Sequence, residues 1–199
     1  MEEKNITEQE SLAIIQQMIA KSKQQLIDRS KFFFLWGFAV LICAVAQYVM
    51  LKMNVLKSDE VWLAMPIIAI IHIYIAAKEQ KRVKIISHNT IAIGSLWMGL
   101  GVAFFALAFL SHRSYVNTGT ALDVLPLLIL FYGIGTFVTG RILQFKPLIF
   151  GGLACFLLCI LVTYIDGPEQ LLILALSVVV SYIIPGIILK KEFNNQQNN

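Results

Sequence analysis

The sequence predicts an all-α integral membrane protein, a six-helix bundle preceded by an N-terminal cytoplasmic amphipathic helix. Three observations carry that reading. Of 199 residues, 58% are hydrophobic and 14% charged, with a mean hydropathy of +0.74, which is more apolar side chain than a soluble domain of this size can bury. The apolar residues gather into six runs of about 17 to 20 residues, and at about 1.5 Å of rise per residue each run matches a hydrocarbon core of roughly 30 Å. The charges fall between the runs: Lys, Arg and Glu occur in none of them, and Asp123 is the only acid inside one. The same composition excludes a disordered chain, a disulfide framework and a basic nucleic-acid module.

The first unit is residues 1–31. Thr7-Glu8-Gln9-Glu10 is a capping box, in which the Thr hydroxyl and the Glu carboxylate each accept a free amide of the first turn. Downstream, Leu12, Ile14, Ile15, Met18, Ile19 and Leu26 fall within an arc of about 160° at 100° per residue. The helix over residues 7–29 is too polar to cross a bilayer. Two readings stay open: an anchor in the headgroup layer, favoured by the cations, or a helix that docks on a cytosolic or second membrane protein. The residues that would serve either are Leu12, Ile15, Met18, Ile19, Lys21 and Lys23.

The six runs occupy residues 32–51, 61–77, 91–110, 121–140, 147–165 and 170–189, together a bundle over 32–189. Each must be a helix, because lipid offers no partner to a bare backbone amide or carbonyl. Residues 190–199 form the last unit, a short tail whose polar end from Asn194 is expected to be disordered. Thirteen of the sixteen Lys and Arg residues fall on one side of the spans and only Lys52, Lys57 and Arg113 on the other. By the positive-inside rule both termini are cytoplasmic, as an even number of crossings requires. The opening Met1-Glu2-Glu3-Lys4 is unlike a cleavable signal, so the first span is expected to direct insertion.

Small and polar residues form seams on five spans: Ala69, His72 and Ala76 on the second; Ser95, Gly99, Val102 and Ala106 on the third; Gly133, Thr136 and Gly140 on the fourth; Gly151, Cys155 and Cys159 on the fifth; Ser177 and Ser181 on the sixth. Close approach over small residues is the main source of helix packing in lipid, so these seams are expected to close a compact bundle. Polar residues inside a span are costly and mark candidate sites. The candidate intramembrane set is His72, Asp123, Thr136, Ser177 and Ser181. The structural readings are that His72 and Gln47 are hydrogen-bonded to neighbouring helices and that Asp123 caps a helix start before Pro126. Pro185 removes the amide that would bond the Ser181 carbonyl, so the sixth helix is expected to kink there.

Cys43, Cys155 and Cys159 lie in spans and are expected to be free thiols. No metal set, cofactor motif or catalytic constellation is present in the sequence: it has no phosphate loop, no His-Glu-x-x-His and no paired carboxylates in a span.

Glu10-Ser11-Leu12 with Ile15, Met18 and Ile19, Phe34-Leu35-Trp36-Gly37, Thr136-Phe137 with Gly140, Phe145-Lys146-Pro147-Leu148-Ile149 with Gly151-Gly152, and Ile184-Pro185-Gly186 together resemble a family of short uncharacterised multispanning bacterial inner-membrane proteins with an N-terminal amphipathic helix. That resemblance implies a multi-pass inner-membrane protein and no catalytic residues. A looser similarity to the six-span acid-resistance membrane proteins rests on hairpin count and glycine content. The functional expectation is a non-enzymatic regulatory or accessory membrane subunit, in contact with the bilayer and with a second protein or a second copy, and without nucleic acid. The rival classes are a small transporter or channel built on the polar set, and a lipid-acting enzyme.

Overall fold

The computed structural model describes residues 31–80 and 88–197. The amphipathic helix expected over residues 7–29, with Leu12, Ile15, Met18, Ile19, Lys21 and Lys23, lies outside the described residues. Among those residues the chain is helical with no strand. Helix α1 spans Lys31–Lys52. A 3-10 turn, Ser58–Leu63, leads into α2, Ala64–Gln80, and α3 follows at His88–Thr118. Then come α4, Leu125–Leu143, and α5, Lys146–Val162. A 3-10 turn at Gly167–Glu169 opens the last rod, which is α6, Gln170–Val178, a π-turn, Val179–Ile183, and α7, Ile184–Gln197.

Five stretches are long and apolar enough to cross a membrane: Lys31–Lys52, Ser58–Lys78, Asn89–Thr118, Leu125–Leu143 and Gly167–Lys191. The remaining run, α5, is a shorter apolar helix of 17 residues, at the lower end of the roughly 17 to 25 that span a bilayer. The protein is a helical membrane bundle.

Helix limits differ from the apolar runs where local chemistry decides them. Helix α4 starts at Leu125 because Pro126 fits only the first turn, where its missing amide costs nothing. Asp123, two residues upstream, accepts the Leu125 amide at 3.3 Å. At the other end Gln144 takes a left-handed conformation, φ 52°, and Pro147 sits in the first turn of α5. The connection of Gln144 and Phe145 makes α4 and α5 antiparallel neighbours. Helix α3 continues past the apolar run to Thr118, where Ser111 and Ser114 hydroxyls donate to the Leu122 and Thr120 carbonyls of the following loop. Helical backbone in α7 reaches Gln197, past Asn194, where composition alone predicts a disordered tail. Each residue added to an existing helix gains a backbone bond without a new nucleation cost.

Glycines set the centre of the bundle. A Cβ at Gly152 would stand 2.6 Å from the Phe137 amide nitrogen, and one at Gly140 2.7 Å from that of Ile149. Helices α4 and α5 thus touch backbone to backbone. Gly151 does the same against the π-turn, where a Cβ would stand 2.9 Å from Ser181 Cα. Helix α1 joins through Gly37 on Tyr182 and Ile183, and through Phe34 on Gly186. The buried core of Val40, Ala44, Ile129, Leu148, Cys155, Leu174 and Val178 draws on these same helices.

Helices α2 and α3 are peripheral. In the most apolar window of Ser58–Lys78 0% of the residues are buried, against 56% for Gly167–Lys191. Helix α3 meets α4 along one face only, where Trp97 and Leu100 close on Gly135. This corrects one expectation. The seam of Ser95, Gly99, Val102 and Ala106 does not pack inside the bundle: all four residues are exposed, and no atom outside α3 lies within 4 Å of a Cβ built at Gly94, Gly99 or Gly101. The larger Ile93 and Leu100 are buried on the opposite face instead.

Candidate functional site

Three tryptophans organise the polar groups of the spans. Trp36 Nε1 donates to His72 Nδ1 at 3.1 Å, Trp62 Nε1 to Gln47 Oε1 at 2.7 Å, and Trp97 Nε1 to Thr139 Oγ1 at 3.1 Å. Each bond joins two helices: α1 to α2, the 3-10 turn to α1, and α3 to α4. An indole N–H in a largely apolar setting needs such an acceptor. His72 also lies against Phe32, with ring centroids 4.4 Å apart, so its half-buried side chain faces α1 as expected. Because Nδ1 accepts, the imidazole proton is on Nε2, and Nε2 has no partner among the described residues.

Thr136, Ser177 and Ser181 are fully buried at 0% exposure. Their hydroxyls donate back to their own helices. Thr136 Oγ1 donates to the Tyr132 carbonyl at 2.7 Å, Ser177 Oγ to Leu174 at 2.7 Å and Ser181 Oγ to Ser177 at 2.7 Å. The Ser177 carbonyl also accepts the Cys155 thiol at 3.6 Å. These bonds sit where the rod widens: Ile184 N–H reaches the Val179 carbonyl, five residues back, just before the buried Pro185. A π-turn next to a proline re-pairs carbonyls that a regular helix would leave bare.

The polar set of His72, Asp123, Thr136, Ser177 and Ser181 is therefore divided among three places. His72 belongs to the α1/α2 contact. Asp123 stands at the end of the bundle, where its second oxygen takes Gln170 Nε2 at 3.5 Å. The hydroxyls belong to the packing of α4, α5 and the π-turn. Cys43 donates to the Val61 carbonyl at 3.5 Å, and the three cysteines are free. Among the described residues no group of three or more His, Cys, Asp or Glu is placed to hold a metal.

The ends of the bundle differ in charge. Lys52 pairs with Glu169, which with the Gln170–Asp123 bond places the ends of α1 and the starts of α4 and α6 together. Asp59, Glu60, Asp123, Asp166 and Glu169 lie at this end with Lys52, Lys57 and Arg113, and Lys31, Lys78, Arg141, Lys146, Lys190 and Lys191 at the other. At that basic end a groove of about 410 Å³ opens between α1 and α2, lined by Lys31, Phe32, Phe34, Leu35, Phe38 and Ile75.

Sequence reading missed Gly37, Gly135, Gly152 and Gly186 as contact points, and the tryptophan donors. The signal for the latter was present: the chain has three tryptophans, and each serves an intramembrane polar residue. Comparison with protein-family models, with curated proteins and with solved structures finds no match to this chain.

Proposed function

We propose that the protein is a non-enzymatic accessory subunit of the bacterial inner membrane, with both termini cytoplasmic, whose α3 presents its small-residue face to another transmembrane helix. One observation carries the reading. The glycines of α4 and α5 are consumed in contacts within the bundle, backbone to backbone at Gly140, Gly151 and Gly152, whereas the small residues of α3, at Ser95, Gly99, Val102 and Ala106, stay open on the outer surface. A smooth face of this kind lets a second backbone approach closely, which is how helices associate in lipid. The polar groups support the same reading, because the buried hydroxyls are engaged by their own helices and do not converge on one substrate position. The orientation rests on the sixteen cations, thirteen of which fall on one side.

The test is site-specific photo-crosslinking in cells, with the probe at Val102 on α3 and, separately, at Leu157, which is 70% exposed on α5. The expected result is a discrete protein adduct from Val102 that is absent from Leu157 and lost in Gly99→Leu. Lipid adducts alone from both positions would refute the proposal.

A further inference from the structure

The groove at the basic end has the chemistry of a phospholipid site. Among the described residues that line it, five are apolar, Phe32, Phe34, Leu35, Phe38 and Ile75, and the sixth, Lys31, is at its mouth. Its volume of about 410 Å³ lies within the roughly 300 to 1,000 Å³ of small-molecule sites. From Lys31 to Phe38 the wall descends about 10 Å along α1, at about 1.5 Å per residue, so it runs from the headgroup level into the acyl region.

Charge is arranged around the mouth. Lys78 follows Ile75 by three residues on α2. Lys190 follows Gly186, the residue that carries Phe34, by four on α7. One helical turn brings residues at these spacings to the same face, so both cations stand a turn nearer the surface than the apolar walls. Lys31 Nζ lies over the Phe32 ring, 5.5 Å from its centroid. The same helix ends carry Lys191 and two acids, Glu79 and Glu192, so among the described residues these ends hold four lysines against two acids. One turn below, His72 packs against Phe32, ring centroids 4.4 Å apart, and so holds that wall in place from the α2 side.

We infer that this groove binds one anionic glycerophospholipid. An acyl chain lies along Phe34, Leu35, Phe38 and Ile75, and the phosphate rests among Lys31, Lys78 and Lys190. Charge complementarity selects this occupant. A zwitterionic lipid offers the same chains and esters but brings a cation to a mouth that is already cationic. Basic pockets between spanning helices recognise anionic headgroups in this way. The inference is independent of the α3 interface, which lies on another helix.

The experiment is tryptophan quenching in vesicles of phosphatidylcholine, titrated with either phosphatidylglycerol or phosphatidylcholine brominated on the acyl chain. Trp36 follows the lining residue Leu35 on α1. Half-quenching of the Trp36 component is expected at a mole fraction of brominated phosphatidylglycerol roughly thirtyfold below that of brominated phosphatidylcholine, the weight of two lysines close to an anionic surface. The double variant Lys31→Gln/Lys78→Gln should remove most of the difference, leaving the share of Lys190, and Ile75→Phe, which fills the groove, should reduce quenching by both lipids. Lys57→Gln, at the opposite end, and Ile73→Phe, on the outer face of α2 where Ile73 is 66% exposed, should change neither. Equal quenching by the two lipids in the wild type, or unchanged preference in the double variant, would overturn the inference. So would loss of the preference in millimolar inorganic phosphate, which would mean that the cations bind a free anion rather than a lipid.

Discussion

Replacing Gly152 with alanine is the sharpest test of how the bundle is held. The added Cβ would stand 2.6 Å from the Phe137 nitrogen, 2.7 Å from its Cβ and 2.8 Å from its Cα. Ordinary contact begins near 3.4 Å, so α4 and α5 must separate by about 0.8 Å. Side-chain rotation cannot absorb this, because two of the three atoms are backbone. The separation also opens the contacts of Gly133 with Cys155 and of Gly140 with Leu148, which lie on the same interface. Overpacking of this kind costs about 3 kcal/mol, the upper part of its usual range. Alanine returns about 1 kcal/mol through helix propensity. The net loss of about 2 kcal/mol lowers the folding equilibrium roughly thirtyfold. Gly99→Ala is the control: nothing lies within 4 Å of its Cβ, so only the propensity gain remains and the variant should be as stable as the wild type or slightly more so. Reversible unfolding in mixed micelles, followed by tryptophan fluorescence, measures both. Equal stability of Gly152→Ala and wild type, or equal losses in the two variants, would refute the claim that the α4/α5 contact is central and the α3 face open.

Two further outcomes follow, one from a hydrogen bond and one from burial. Trp97→Phe should destabilise the protein by about 1 kcal/mol, within the range for interhelical bonds in lipid. A cycle with Thr139→Val should show that the two losses do not add, because both remove the bond from Trp97 Nε1 to Thr139 Oγ1; additive losses would mean the bond contributes nothing. Cys155 is fully buried and Cys159 partly exposed. In the folded protein a membrane-permeant maleimide should therefore leave Cys155 unlabelled while it is labelled after denaturation, as read by peptide mass mapping; labelling of Cys155 in the native state would contradict its place beneath the π-turn.

Much of the fold is legible in the sequence because lipid imposes a simple rule: an apolar run of bilayer length must be a helix. That rule places six helices, and the special chemistry of proline places the start of α4 at Pro126 and the irregularity before Pro185. The roles of His72, Gln47 and Asp123 follow from the same logic, since each needed a partner and found one. What the sequence hides is which face of a helix meets protein. In water an apolar stripe points to the core. In a membrane lipid and protein are both apolar, so the stripe of α3 and the seam of α4 look alike although one is open and the other closed. The contact points Gly135 and Gly152 were hidden for the same reason. They lie off the seams of Gly133, Thr136, Gly140 and of Gly151, Cys155, because α4 and α5 each pack on two sides at once.

The tryptophan bonds explain how α2 and α3 keep a fixed orientation without the backbone contacts that lock the centre. A peripheral helix resting on apolar side chains alone could turn about its axis at little cost, because lipid replaces every contact it loses. A hydrogen bond changes this balance, since lipid supplies neither donor nor acceptor. Helix α2 is pinned at His72 by Trp36, with Trp62 to Gln47 and Cys43 to the Val61 carbonyl fixing the turn at its start. Helix α3 is pinned by Trp97 to Thr139. That single bond turns Trp97 and Leu100 toward Gly135 and thereby turns Gly99 and Val102 outward. The face proposed to meet a partner is thus oriented by the bundle itself, and the surface that α3 offers is set before any partner arrives.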